Sequence, residues 1–276
     1  MSFLIQGASA LDEEPCRYGE SRLPCRGPRR EPDGHYIVFM GGSETYGRFV
    51  EWPFAALTEQ ATGRVCINLG SVNAGLDSYV HDRSLMDIAK GADAVVVQIM
   101  PAQNLSNRFY RVHPRRNDRF LEPTPELVSM YPEVDFTEFN FNMHLLNTLK
   151  KVSPSRFGTI KAELKSLWTA RMRRLIEVTG KRTLLLWLRY MDRGPMQVET
   201  AACTSPAFVD AKMIDSLRSN VAGIIMRKVR SAGATGDLES MFFGQMEEPI
   251  AEQMIGPTKH ALIANAVVEA LRDLKK

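Results

Sequence analysis

From residue 35 onward, short unbroken apolar runs alternate with longer stretches in which apolar positions recur every three or four residues. The runs are "HYIVFM" (35–40), "RVCINLG" (64–70), "ADAVVVQIM" (92–100) and "KRTLLLWLRY" (181–190). None alternates polar with apolar over its length, so each reads as a strand buried on both faces. Between the first two, Phe49, Val50, Trp52, Phe54, Ala56 and Leu57 suggest a helix ending near Gly63. Pro53 falls in its first turn, where a missing N–H costs little. "LMDIAKG" (85–91) predicts a short helix, and "TIKAELKSLWTARMRRLIEVTG" (159–180) a long one with Ile160, Leu164, Leu167, Trp168 and Leu175 on one face. Ile214, Leu217, Val221, Ile224 and Ile225 predict another helix, and a last one from about Thr258 carries Ile263, Ala266, Val267, Ala270, Leu271 and Leu274. Strands alternating with helices predict a parallel sheet covered on both faces.

Two stretches fall outside this rhythm. Residues 1–34 are rich in Arg, Pro, Glu and Gly without a sustained period, and read as an irregular N-terminal arm. About eighty residues separate the third and fourth strands, too many for one crossover; the part at about 101–158 reads as an inserted lid carrying "NRFYRVHPRRNDRF" and "YPEVDFTEFNFNMHLL". The expectation is one α/β unit over 35–276, interrupted by that lid.

Composition narrows the class only slightly. The 276 residues are 44% hydrophobic and 24% charged, which is globular, and a net charge of +3 does not by itself suggest nucleic acid. Cys16, Cys25, Cys66 and Cys203 show no C-x-x-C spacing, so neither zinc nor a disulfide framework is expected, and reduced thiols fit a cytoplasmic protein. No cofactor motif appears: there is no G-x-x-x-x-G-K-[ST] loop, and the arginine clusters lack the interleaved aromatics of a nucleic-acid platform. The longest apolar runs are strand-sized, too short to span a bilayer, and the N-terminus does not read as a signal peptide.

In an open parallel sheet, loops after the carboxyl ends of the strands share one crevice. Here they hold "GGSETYG" (41–47), "GSVNAG" (70–75) and "PAQNLSN" (101–107). Taken in order, these blocks resemble the SGNH/GDSL hydrolases. Gly41, Ser43, Thr45 and Gly47 stand where that family's first block has G-D-S-x-T-x-G, "NLGSVNAG" resembles its N-x-G-x-x-G with one extra residue, and "MPAQN" holds the place of its G-x-N-D. "KHALIA" (259–264) looks like the start of its final helix. The resemblance implies a flavodoxin-like sheet and acyl transfer on an ester. Ser43 would be the nucleophile. The oxyanion would be held by its own N–H, by a glycine N–H (Gly75 before Gly70), and by the side-chain amide of Asn104, or of Asn107 if the loop is shifted. Gly75 also fits a turn residue with positive φ, and Asn104 a loop cap.

The base departs from the family pattern. "EEPIAEQMIGPTKHALIA" contains no D-x-x-H, which leaves His260, with Glu247, Glu248 or Glu252 to orient it. The competing reading of His260 is a helix-start histidine bonded to backbone. His35 reads as structural, His81 and His113 as loop alternatives, and His144 as a helix-face residue. Gly42 also replaces the usual aspartate of the first block.

Thr45 and Asn73, with Arg111, Arg115 and Arg116 from the lid, are expected to contact substrate. Arginine forks bind carboxylate, phosphate or sulfate, which suggests an anionic, saccharide-like ester. The competing reading pairs those arginines with Glu133, Asp135 and Glu138. Two functions follow: a serine hydrolase or O-acyl transferase, or a binding protein for an acidic saccharide or other anion on the same fold with a vestigial site.

Overall fold

The computed structural model describes residues 15–191 and 206–274. Five parallel strands form the central sheet: β1 (Tyr36–Met40), β2 (Val65–Asn68), β3 (Ala94–Gln98), β6 (Thr183–Tyr190) and β7 (Gly223–Val229). Between β1 and β3 lie α1 (Ser43–Tyr46), α2 (Phe54–Thr62), α3 (Asp77–Val80) and α4 (Arg83–Gly91). The insertion after β3 holds an antiparallel pair, β4 (Tyr110–Val112) and β5 (Phe120–Pro123), then α5 (Pro125–Met130) and α6 (Asn142–Val152). The long crossover α7 (Pro154–Thr179) leads into β6 (Thr183–Tyr190). After it come α8 (Ala211–Asp215), β7 (Gly223–Val229), α9 (Glu248–Ala251) and α10 (Pro257–Asp273).

The strand order β2-β1-β3-β6-β7, all parallel, is the flavodoxin-like order, as the sequence led us to expect. Successive residues of each strand point to opposite faces, and both faces are dry. Ile37, Phe39, Val96 and Leu186 meet Phe54 of α2 and Ile263 and Val267 of α10 in one cluster. Val38, Met40, Val95, Val97 and Leu185 enter the larger cluster with Leu85, Ile160, Leu164 and Trp168. Trp168 is fully buried and donates its indole N–H to the Met100 carbonyl (2.9 Å), which fixes α7 to the end of β3.

One expectation changes. Ile224 and Ile225 lie in the strand β7 and not in a helix, while Ile214 belongs to the short α8. Adjacent β-branched residues suit a pleated strand beside β6 better than a helix, where each loses χ1 freedom. Within the insertion, Phe109, Tyr110, Phe120, Leu127 and Leu145 are buried in the larger cluster. The described part of the arm, residues 15–34, is packed down, with Tyr18, Leu23 and Cys25 buried and the backbones of Cys16 and Cys25 paired as an isolated antiparallel bridge. Cys203 lies outside the described residues.

Candidate functional site

The strand order reverses between β1 and β3, so the loops after these strands diverge and open a crevice at the carboxyl edge. The loop after β1 is a tight corner. At Gly41 a Cβ would lie 2.1 Å from Thr45 Oγ1 and 2.5 Å from Gln98 Oε1, so only glycine fits. Gln98, the last residue of β3, is the organiser. Its Oε1 accepts the Gly42 N–H (3.1 Å), the Thr45 N–H (3.2 Å) and the Thr45 hydroxyl (2.6 Å). Its Nε2 donates to Glu44 (2.9 Å), whose other oxygen accepts the Tyr190 hydroxyl (3.1 Å). Thr45 is thus a buried structural link and not a surface for substrate. Tyr79 ties the same corner to the second loop, donating to the carbonyls of Gly41 (2.6 Å) and Leu69 (2.9 Å), and burial raises its phenol pKa well above the ordinary value.

Ser43 opens α1 and is half-buried. Its Oγ accepts the backbone N–H of Asn73 at 3.1 Å, and the hydroxyl lies 3.4 Å from Asn73 Oδ1. Asn73 has φ +60°, so the left-handed turn residue of the second loop is this asparagine and not Gly75. Gly75 does not offer a donor to the crevice: its N–H goes to Asn117 Oδ1 at 2.8 Å. That oxygen also accepts from Ser78 N (3.3 Å) and Ser78 Oγ (2.8 Å), while Asn117 N donates to the Asn73 carbonyl (3.0 Å). Asn117, fully buried, therefore bolts the 113–117 turn of the insertion onto the loop that touches Ser43.

Asn104 is buried and its Oδ1 accepts from Asn142 Nδ2 (3.2 Å); Asn107 is a local brace for the backbone of Phe109 and Tyr110. Arg111 is exposed and donates to the Asn107 carbonyl. Arg115 and Arg116 are exposed and, among the described residues, neither makes an ion pair. The insertion's carboxylates are engaged otherwise: Glu133 pairs with Arg156, and Asp135 accepts from Thr137. Asp118 is half-buried, and burial raises its carboxyl pKa despite the nearby Arg116, Arg119 and His113.

The structure does not bring His260 to Ser43. Its Nδ1 accepts the backbone N–H of Phe54 (3.0 Å), its ring stacks on Phe54 at 5.4 Å, and 1% of it is exposed. Burial first, and the Arg26 charge second, push its pKa down to about 3. None of the three candidate carboxylates bonds to it: Glu247 pairs with Arg48 at 2.9 Å, and Glu248 and Glu252, in and just after α9, make no hydrogen bond or ion pair with the ring. The other histidines fare no better. His35 pairs with Asp93 at the amino edge of the sheet, His81 faces Asp77, and His144 packs edge-on to Phe139. His113 belongs to the bolted turn, but its Nδ1 accepts the N–H groups of Arg115 (3.3 Å) and Arg116 (3.1 Å). The neutral ring then carries its proton on Nε2, which makes it a donor and not a base.

A cleft of about 610 Å³ adjoins this corner, lined among others by Tyr46, Arg48, Phe49, Val72, His113, Arg115 and Arg116. Val72 and Tyr46 of that lining belong to the two loops that carry Asn73 and Ser43, the pair whose side chain and backbone meet at 3.1 Å; Ser43 itself is not among the lining residues. Arg26, missed by the sequence reading as a site residue, builds one wall. It is 3% exposed and donates to the carbonyls of Tyr46 (3.2 Å), Gly47 (2.8 Å), Val50 (3.0 Å) and Glu51 (3.1 Å). Among the described residues, no three His, Cys, Asp or Glu side chains gather as a metal-ligand set, and no helix is long and apolar enough to cross a membrane.

The model of one family, a domain of unknown function termed DUF6473, matches residues 1–275. The chain belongs to the DUF6473 family. No curated protein matches it in sequence. Solved structures similar to this DUF6473 member include the lipase Lip_vut3 from a goat rumen metagenome, at 12% identity over 86% of this chain and 97% of that one, with a TM-score of 0.44. A carbohydrate esterase family 2 enzyme with a carbohydrate-binding domain, from Corynascus thermopiles (Myceliophthora fergusii), is 11% identical over 91% and 70% of the two chains (TM-score 0.45). A family two carbohydrate esterase from Clostridium thermocellum, solved with cellohexaose, is 11% identical over 90% and 66% (TM-score 0.44). In the DUF6473 chain itself, the corner can present a serine hydroxyl and backbone donors to a ligand, beside a cationic cleft. It presents no imidazole able to take the serine's proton.

Proposed function

We propose that the crevice is a binding site for an anionic ligand of small-molecule or saccharide size, on an SGNH-like fold whose Ser43 is a polar contact and not a histidine-driven nucleophile. The observation that carries this reading is His260: its Nδ1 is engaged by the Phe54 N–H and its ring is buried. Without a base within hydrogen-bond reach, a serine hydroxyl remains a weak nucleophile. Arg115 and Arg116, exposed at the cleft and outside any ion pair among the described residues, supply the attraction for an anion.

One observation favours a second reading, a serine hydrolase or O-acyl transferase acting on an ester of an anionic carbohydrate. Asn73 N–H donates to Ser43 Oγ at 3.1 Å, a contact that would stabilise the serine oxygen as its proton leaves. Such an enzyme would need the His113 ring to turn so that an unprotonated nitrogen faces the serine.

The deciding experiment compares wild type with Ser43→Ala in two assays: binding of small oxyanions and acidic oligosaccharides, and hydrolysis of aryl and sugar acetates. We expect saturable binding, weakened by the substitution, with no difference in turnover. Saturable turnover that vanishes in Ser43→Ala would overturn the binding reading and install the second.

A further inference from the structure

The cleft beside Ser43 has a division of labour that specifies its ligand more narrowly. One side is ring surface: Tyr46, Phe49 and Phe242 border it. Phe242 N donates to the Phe49 carbonyl at 2.9 Å, which ties the backbone of the two segments together, the Phe49 ring packs edge-on to Phe243 at 6.0 Å, and Phe49 sits at φ +68°, where a bulky residue persists only when its surroundings enforce it. The other side is charge. The Arg48 guanidinium lies 4.6 Å over the Phe49 ring, so one of its faces is held against an aromatic while its N–H edge is presented laterally. That edge already holds a carboxylate, since Arg48 Nη2 donates to Glu247 Oε1 at 2.9 Å. The pair is open to competition, with side-chain exposures of 24% and 40%. Glu247 comes from a separate segment, the turn at Gln245–Glu247.

We propose that Arg48 anchors the acid group of a carboxylated sugar ring, and that Glu247 is the internal carboxylate which that acid displaces. This rests on the crevice reading above and deepens it. The ring of the ligand lies on the aromatic side, its acid takes the Arg48 edge, and Arg115 and Arg116 supply the longer-range field. A cleft of about 610 Å³ is of small-molecule size, enough for a sugar of one or two rings. A bare inorganic oxyanion would leave the aromatic side uncovered, so the site selects for ring and acid together.

The test is calorimetric titration with three probes: digalacturonate, its neutral methyl ester, and inorganic sulfate. Each is run on wild type, Arg48→Gln, Glu247→Gln and Ser43→Ala. Digalacturonate should bind, and both the methyl ester and the Arg48→Gln protein should bind roughly tenfold more weakly, the worth of one charge-assisted contact. Glu247→Gln should tighten digalacturonate several-fold, a gain that damage to the fold would not produce. Absence of digalacturonate binding, equal affinity for acid and ester, sulfate binding as tightly as the disaccharide, or no gain from Glu247→Gln would each overturn the proposal. If Ser43→Ala weakens binding while the Arg48 and Glu247 variants leave it unchanged, the anchor falls and the crevice reading stands. If the Arg48 and Glu247 variants respond and Ser43→Ala does not, the anchor stands and the serine is not part of the site.

Discussion

His260 gives the sharpest physical prediction, because its burial couples the fold to pH. Its Nδ1 accepts the Phe54 N–H, the first of α2, an end that has no side-chain cap of its own at Pro53. The ring must stay neutral to accept that bond, and burial holds its pKa at about 3 against 6.5 for an exposed histidine. Above pH 6.5 neither folded nor unfolded chain carries the proton, and stability is flat in this group. Below it the unfolded chain binds a proton that the fold excludes, so stability falls as pH drops towards about 3. The slope is about 1.4 kcal/mol per pH unit, so the loss between about pH 7 and pH 5 is about 2 kcal/mol from this residue alone. The perturbation is His260→Asn, whose side-chain oxygen replaces the Nδ1 acceptor and does not titrate. Urea denaturation of both proteins from about pH 5 to pH 8 isolates the term as their stability difference. That difference should shift by about 2 kcal/mol in favour of the variant between about pH 7 and pH 5, and stay constant from about pH 7 to pH 8. A difference that is constant throughout would refute the reasoning: the histidine would then titrate equally in both states, as an exposed imidazole does. Ligand binding should be unchanged in His260→Asn.

Other consequences concern the corner itself. Gly41→Ala places a methyl into Gln98 and Thr45, and should cost about 1–3 kcal/mol in denaturant melts while weakening ligand binding through a displaced Ser43. Arg26→Met leaves the carbonyls of Tyr46, Gly47, Val50 and Glu51 without their shared donor, and thermal unfolding should show a loss of about 2–5 kcal/mol. Asn117→Leu removes the acceptor of the Gly75 and Ser78 N–H groups; it should cost about 2–4 kcal/mol in urea melts and speed amide exchange at residues 73–78.

The crevice was legible because it depends on connectivity. Continuous apolar strands such as "AVVVQ" announce a sheet covered on both faces, and the loops at its carboxyl edge follow from chain direction. What fixes those loops was partly visible too: Gln98 is a polar residue at the end of a wholly buried strand, which by itself requires a partner network. Asn117 and Arg26 gave no such signal. Each is a polar residue in a charged, proline-containing stretch, and its burial arises from the docking of distant segments onto the corner. β7 is not legible as a strand because its apolar positions run on from those of α8 across a short connection, and the joined pattern imitates one helical face.

His260 is the instructive case, since two signals in the sequence disagreed about it. Its order in the chain, at the start of the last helix and after three ordered blocks, nominated it as a base. The helical period said otherwise: positions 260, 263, 264, 267 and 271 form one stripe, and His260 is buried on it with Ile263, Ala264, Val267 and Leu271. A residue on the apolar stripe of α10 faces the sheet layer and α2, whatever motif surrounds it. Its ring nitrogen must then find a backbone partner inside that layer, which is what the Phe54 N–H supplies. An imidazole serving the carboxyl edge has to leave the stripe, in the loop before the helix, and in this chain that loop, which ends at Gly256, contains no histidine, while Pro257, three residues before His260, already opens the helix. Periodicity reports which way a side chain points; motif order reports only where it falls in the chain. Where the two conflict, the direction decides the chemistry, and here it places the imidazole under α2, away from the serine.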